Sequence, residues 1–132
     1  MLKVSIFSFG YLYKGIPVDE SGNGGGFVFD CRFIENPGRN EEFKNLTGLD
    51  DKVAEFLNNQ KPMQDFLSNV YDIIDAAVEN YTHRGFTNLM VSFGCTGGQH
   101  RSVYFAEKMN EHLKNKYPEI DTVISHLMFP KI

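Results

Sequence analysis

Apolar and polar residues alternate from Lys3 to Phe9, which is the period expected of a half-buried β-strand. A second segment, Phe27 to Ile34, is rich in Phe, Val and Ile and predicts another strand. Two shorter apolar runs, Asn88 to Phe93 and Thr122 to Met128, predict a third and a fourth. The glycine-rich stretch from Gly22 to Gly26 contains no complete G-x-G-x-x-G and predicts a surface turn between the first two strands.

Helical spacing of apolar residues marks three other segments. Asp50 can cap a helix that reaches Gln60, and Pro62 starts a longer helix that ends at Arg84-Gly85. A third helix follows the third strand, with its apolar face at Val103, Ala106, Met109 and Leu113. The order β, β, α, α, β, α, β favours an α/β fold with a small, mostly parallel sheet of about four strands and helices on both faces.

Length and composition are those of one globular domain, so we expect residues 1–132 to fold as a single unit. The hydrophobic fraction is 42% and the charged fraction is 23%. No apolar run is long enough for a membrane helix, and the first residues lack the basic start and cleavage site of an export signal. A cytoplasmic protein that makes no membrane contact is the expectation.

Charge and cysteine content restrict the chemistry further. A net charge of −4 argues against a general polyanion binder, although a local basic pocket stays compatible with it. Cys31 and Cys95 are too few for a disulfide framework or an all-cysteine zinc site. His83 and His112 have no partner at ligand spacing, so neither a metal site nor a cofactor is predicted.

The turn between the third strand and the third helix carries the strongest signal. A strand that ends in glycines and leads into a helix directs free backbone N–H groups and the positive end of the helix dipole at one spot, which suits phosphate. Gly94, Gly97 and Gly98 can adopt positive φ angles, and Arg101 offers a planar fork for two phosphate oxygens. The predicted ligand-binding residues of this turn are Cys95, Thr96, Gly97, Gly98, Gln99, His100, Arg101 and Ser102.

The spacing within the turn supports an alternative function. Cys95, Gly98, Arg101 and Ser102 match C-x-x-G-x-x-R-[ST], which resembles the phosphate loop of cysteine-dependent phosphatases, where the cysteine is the nucleophile. A helix N-terminus and an adjacent arginine favour the reactive thiolate. A third interpretation is structural: Cys95 is a buried thiol, the glycines turn the chain, and Arg101 caps the helix. A Walker-type nucleotide site is disfavoured because Gln99 stands where its lysine would be.

Six ordered segments match one known family. They are Ser8-Phe9-Gly10-Tyr11, Lys14-Gly15-Ile16-Pro17, Phe27 to Phe33, Asn36-Pro37, Leu46 to Asp50 and Gly94 to Tyr104. Together they resemble the C-terminal domain of the RapZ (YvcJ-type) proteins over nearly the whole chain. Full-length members carry an N-terminal P-loop kinase-like domain before it, so we expect a free-standing version of the second domain here.

The resemblance implies a domain that senses a phosphorylated amino sugar, glucosamine 6-phosphate, without catalysis. It also implies binding of small regulatory RNAs, which members of the family bind in some bacteria. A structured RNA is therefore an expected partner beside the phosphorylated small molecule. Two departures stand out: Gly38 and Arg39 replace bulky residues that usually follow Asn-Pro, and the family's basic tail is missing after Phe129. Because the chain is also acidic, RNA binding is the weaker expectation. Whether the domain forms a homo-oligomer stays open.

Five further residues are secondary candidates. Asp30 and Arg32 lie in or at the end of a strand beside the turn, where they contact a ligand, form an internal ion pair or occupy a solvated strand end. Asn36 and Thr47 can contact a ligand or shape a turn, and Asn36 is retained in the predicted site. His126 in the last strand is interpreted as a packing residue.

Overall fold

The computed structural model describes residues 1–129. Residues 130–132, which follow Phe129, lie outside the described residues. Strands and helices follow the predicted order, and two short 3-10 helices, Pro37–Arg39 and Glu41–Phe43, are inserted before the first α-helix. Among these residues the elements are β1 (Lys3–Gly10), β2 (Phe27–Asp30), α1 (Asp51–Asn58), α2 (Lys61–His83), β3 (Asn88–Cys95), α3 (Arg101–Lys116) and β4 (Asp121–His126).

The four strands form one parallel sheet in the order β2-β3-β1-β4. In its register Gly10 of β1 lies beside Cys95 of β3, and Asp30 of β2 lies beside Gly94. The carboxyl ends of three neighbouring strands therefore meet at one edge, the edge where ligands collect in open α/β sheets. The predicted α/β fold with a small parallel sheet is confirmed.

The three helices share one face of the sheet, which differs from the expectation of helices on both faces. Val4 and Ile6 of β1 lie in the buried core with apolar residues of all three helices. The alternating residues of the same strand, Ser5 and Phe7, line a groove of about 670 Å³ on the other face, together with residues 17–21. The reason is topological: both helical connections, β2 to β3 and β3 to β4, step across the sheet in the same direction, and right-handed crossovers then place their helices on the same side.

β2 is shorter than the predicted strand because the chain turns directly after Asp30. The backbone N–H of Cys31 donates to the carbonyl of Gly94 at 2.8 Å, and the N–H of Ile34 donates back to the carbonyl of Cys31 at 3.3 Å. Residues 31–34 therefore fold across the carboxyl end of β3 instead of extending the sheet. This placement brings their carbonyl groups next to the start of α3.

Two helix ends illustrate how local sequence sets the boundaries. Asp50 occupies the predicted N-cap position of α1, but its carboxylate accepts from the N–H of Thr47 at 2.7 Å and does not cap the helix. α2 ends as predicted, with Arg84 at its C-cap and Gly85 at a φ of 75°, which glycine adopts without strain. Within residues 1–129, no helix combines the length and apolarity needed to cross a bilayer.

Candidate functional site

A cavity of about 280 Å³ opens where the turn after β3 leads into α3. It lies at the carboxyl edge of the sheet, as the sequence predicted for a ligand site. The turn contributes most of its wall, and residues from the β1–β2 connection and the two 3-10 helices complete it. The lining residues are Tyr13, Asn36, Gly38, Arg39, Lys44, Cys95, Thr96, Gly97, Gln99, His100 and Arg101.

The glycines of the turn differ in backbone conformation and in the space around them. Gly98 alone among the three predicted glycines has a positive φ, 70°, and a Cβ there would lie 2.8 Å from the backbone nitrogen of Gly10 and 2.6 Å from Met128 Cγ. Gly94 belongs to β3, where a Cβ would collide with the ring of Phe9. Gly97 faces open space, with the Tyr13 ring 3.9 Å from its ideal Cβ position. Gly98 therefore seats the turn against β1, and Gly97 leaves the cavity wall accessible.

Backbone amides of the turn are available as donors. Among residues 1–129, no hydrogen bond to a protein acceptor starts from the N–H groups of Gly97, Gly98 or Arg101. Arg101 is the first residue of a 16-residue helix, so its amide lies at the positive end of the helix dipole. Unpaired amides at a helix start are a suitable environment for an oxyanion.

Arg101 is buried, with 4% of its surface exposed, and its guanidinium is divided between two tasks. Nη1 donates to the carbonyls of Arg32 and Ile34, both at 2.8 Å. Nη2 makes only a long contact of 3.5 Å to Thr96 Oγ1, and Nε has no hydrogen-bond partner among the described residues. The two-oxygen fork expected from the sequence is thus half committed to the backbone, which leaves Nε and Nη2 for an anion.

Gln99 and His100 tie the turn to the second 3-10 helix. Gln99 Nε2 donates to the carbonyls of Lys44 at 3.0 Å and Leu46 at 2.6 Å. His100 is 6% exposed, and its Nε2 lies 2.9 Å from the carbonyl of Phe43, which requires Nε2 to carry the proton. Both residues line the cavity, but these side-chain nitrogens bind the protein's own backbone. The sequence pattern predicts direct ligand contacts for Gln99 and His100.

Cys95 and Ser102 form a buried pair behind the turn. The thiol and the hydroxyl are 3.2 Å apart, and the residues are 2% and 0% exposed. Ser102 does not line the cavity, so of the two predicted hydroxyl donors only that of Thr96 faces it. Nearby, complete burial raises the pKa of the Cys31 thiol well above its usual value, and the proximity of Cys95 adds to this effect.

Asp30 and Arg32 form the ion pair that the sequence left as an alternative. Arg32 Nη2 lies 2.7 Å from Asp30 Oδ2, and its guanidinium carbon stacks 3.9 Å above the ring of Tyr11. Hydrogen bonds from Arg32 hold the pKa of the Asp30 carboxyl below its ordinary value. Neither residue lines the cavity. Asn36 does, and its Oδ1 accepts from the N–H of Gly38 at 2.9 Å.

Two other candidates lie outside the cavity lining. Thr47 shapes the turn before α1, where its Oγ1 accepts from the N–H of Leu49 at 3.1 Å. His126 joins β1, α3 and β4, because Nδ1 lies 2.6 Å from Ser8 Oγ and Nε2 lies 2.7 Å from Glu107 Oε2. This network gives His126 a packing role, as the sequence suggested.

Sequence reasoning did not place Tyr13, Arg39 and Lys44 at the site. Arg39 and Lys44 are exposed basic residues in and after the 3-10 helices, and their approach to the turn depends on contacts made by residues more than fifty positions away. No Asp or Glu is among the described lining residues. The cavity wall therefore combines cationic side chains with backbone amides and has no carboxylate to balance them.

Comparison with known proteins gives one family profile and several relatives that match most of the chain. The sequence profile of the RapZ C-terminal domain matches residues 2–129. A nucleotide-binding protein of Fervidobacterium nodosum is 41% identical over 113 residues, which are 86% of this chain and 38% of that protein. A nucleotide-binding protein of Fusobacterium nucleatum is 39% identical over 127 residues, 95% of this chain and 42% of that protein. The chain thus spans about two fifths of the length of the curated relatives it matches.

Proposed function

The chain belongs to the RapZ C-terminal domain family, and from this membership we propose that it binds a phosphorylated small molecule of the phosphosugar class without converting it. The site is the cavity at the start of α3. The observation that carries the proposal is the buried guanidinium of Arg101 at the cavity wall, whose Nε has no partner among the described residues and whose turn also carries unpaired amides.

The energetics favour an anionic ligand. A buried donor without a partner costs about 1–3 kcal/mol, and more when the group is charged. A phosphate oxygen can accept from Nε while others accept from Nη2 and from the amides of Gly97 and Arg101, so one tetrahedral anion satisfies several donors at once. Thr96 Oγ1 adds a neutral donor at the same wall.

Glucosamine 6-phosphate is the ligand that the family resemblance implies, and it is the first to test. Isothermal titration calorimetry with glucosamine 6-phosphate and with glucosamine isolates the contribution of the phosphate. We expect saturable binding of the phosphorylated sugar only. Equal heats for both sugars, or no heat for either, would contradict the proposal.

Two variants connect that binding to the cavity. Arg101→Met removes the charge-assisted contacts and is expected to weaken binding by about 10- to 150-fold, corresponding to about 1.5–3 kcal/mol. Thr96→Val removes one neutral donor and should cost less, about 0.5–1.5 kcal/mol. Arg84→Met is the matched control, because Arg84 lies before β3 at the opposite edge of the sheet and stacks on Phe86.

Cysteine-dependent phosphatase activity is the second candidate, favoured by the contact between Cys95 and Ser102. In such an enzyme the hydroxyl would stabilise the thiolate as nucleophile and as leaving group. The absence of a carboxylate from the described cavity lining weighs against it, since a leaving group needs a general acid. Hydrolysis of para-nitrophenyl phosphate that disappears in Cys95→Ser would establish this activity, whereas a binding protein should tolerate that change. RNA binding stays a prediction.

A further inference from the structure

Two cationic side chains at the cavity are not explained by a single phosphate. Arg39 ends the first 3-10 helix and Lys44 follows the second, and both are exposed at the cavity wall. Neither forms an ion pair with an acidic side chain among residues 1–129. They belong to a different segment from Arg101, which lies at the start of α3.

The backbone that carries these cations is fixed to the phosphate turn. Gln99 and His100 hold the carbonyls of residues 43, 44 and 46, and the N–H of Gly48 donates to the carbonyl of Gln99 at 2.9 Å. On the Arg39 side, Asn36 caps the 3-10 helix, and Gly38 packs so closely that an added Cβ would lie 3.2 Å from His100 Cε1. The backbone that carries both cations is therefore held at a defined place relative to the turn.

We propose that Arg39 and Lys44 form a second anion subsite, so that the preferred ligand is a phosphosugar with two anionic groups. The inference rests on the function proposed above, which supplies the first anion at Arg101 and the turn amides. The second anion lies between Arg39 and Lys44, and the sugar spans the wall between them. A cavity of about 280 Å³ suits a molecule of this size better than a large cofactor.

The charge pattern of the wall distinguishes this ligand from an amino-sugar monophosphate. The ammonium group of an amino sugar is best matched by a carboxylate, and none is present among the described lining residues. A second phosphate instead supplies a counter-charge for Arg39 and Lys44, which form no ion pair with an acidic side chain among the described residues. We therefore expect a bisphosphate to bind more tightly than either a neutral or an amino-sugar monophosphate.

Fructose 6-phosphate and fructose 1,6-bisphosphate form the test pair, because they differ by one phosphate and neither has an amine. Calorimetry at constant, physiological ionic strength and without divalent cations should give the bisphosphate roughly tenfold tighter binding, as expected for two partly exposed charge contacts. The double variant Arg39→Gln/Lys44→Gln should reduce the preference to less than about twofold, because it should weaken fructose 1,6-bisphosphate binding much more than fructose 6-phosphate binding. The double variant Arg84→Gln/Lys114→Gln changes the net charge equally outside the cavity and should retain the preference.

Each alternative result overturns a definite part of the reasoning. Equal affinity of the two fructose phosphates for the unmodified protein refutes the second subsite and leaves the phosphosugar function standing. A preference that persists in Arg39→Gln/Lys44→Gln refutes the assignment to these residues. Loss of monophosphate binding in that variant places both residues in the first phosphate site and refutes the division into two subsites. Failure of every sugar phosphate to bind refutes both proposals.

Discussion

Replacing Gly98 by alanine tests how the turn is seated. Gly98 has a φ of 70°, and a Cβ there would lie 2.8 Å from the backbone nitrogen of Gly10 and 2.9 Å from the carbonyl carbon of Phe9. These are backbone atoms of β1, which is paired on both sides within the sheet and cannot move easily. Met128 Cγ, 2.6 Å away, is a flexible side-chain atom that can give way.

Three contributions determine the expected size of the effect. A non-glycine residue in the left-handed region costs about 1–2 kcal/mol. Overpacking against an ordered backbone costs about 1–3 kcal/mol. Loss of chain entropy in the unfolded state offsets about 0.4–1 kcal/mol of this. We therefore expect Gly98→Ala to lower the free energy of unfolding by about 1–4 kcal/mol.

Gly97→Ala is the matched control, one residue away. Its φ is not positive, and the nearest neighbour of an added Cβ is the Tyr13 ring at 3.9 Å, an ordinary contact distance. Its free energy of unfolding should change by less than about 0.5 kcal/mol. Equilibrium urea denaturation followed by circular dichroism measures both variants. Equal stability of the two variants would refute the conclusion that Gly98 is needed for the turn to pack against β1.

Three further outcomes follow from buried polar groups. Arg101→Met should lower the free energy of unfolding by about 2–4 kcal/mol without ligand, because the carbonyls of Arg32 and Ile34 lose their donor; a denaturation midpoint unchanged from that of the unmodified protein would contradict this. Cys31 should resist iodoacetamide in the folded protein and react on unfolding. Rapid alkylation of the folded protein would refute the burial of this thiol. Because burial raises the folded-state pKa of Cys31 above the ordinary 9.0, the contribution of the thiol to stability is complete below pH 9.0 and declines as the pH rises towards the raised pKa. Asp75→Asn should destabilise the protein by about 1–3 kcal/mol in thermal melts, because Asp75 accepts from His112 and Lys116, both at 2.8 Å; the exposed Asp72→Asn control should cost much less, and equal losses would rule out this contact as the cause.

Most of the secondary structure could be predicted because its causes are local. The alternation from Lys3 and the helical stripe that includes Val70 and Ile74 each report a buried face within one segment. The arrangement of helices on one face could not be read in the same way. It depends on the strand order, which sets the direction of each crossover, and no single segment encodes that order.

The site was predictable to a similar extent. The turn after β3 was identifiable because a glycine-rich segment between a strand and a helix has few other interpretations. The commitments of Gln99 to Lys44 and Leu46 were not identifiable, since they join residues 53 and 55 positions apart. The same long-range contacts bring Lys44 to the cavity. Local sequence therefore located the turn that lines the cavity but not the second segment that lines it.

One guanidinium connects the proposed ligand site to a distant part of the chain. Nη1 of Arg101 donates to the carbonyls of Arg32 and Ile34, and Nε of the same planar group has no hydrogen-bond partner among the described residues. Because these nitrogens move as one rigid unit, anchoring one anchors the other. If an anion binds this guanidinium as proposed, occupancy of the cavity and the ordering of residues 31–34 are coupled, and the coupling free energy is the same in both directions. Residues 31–34, which follow β2, would then report whether the cavity is filled.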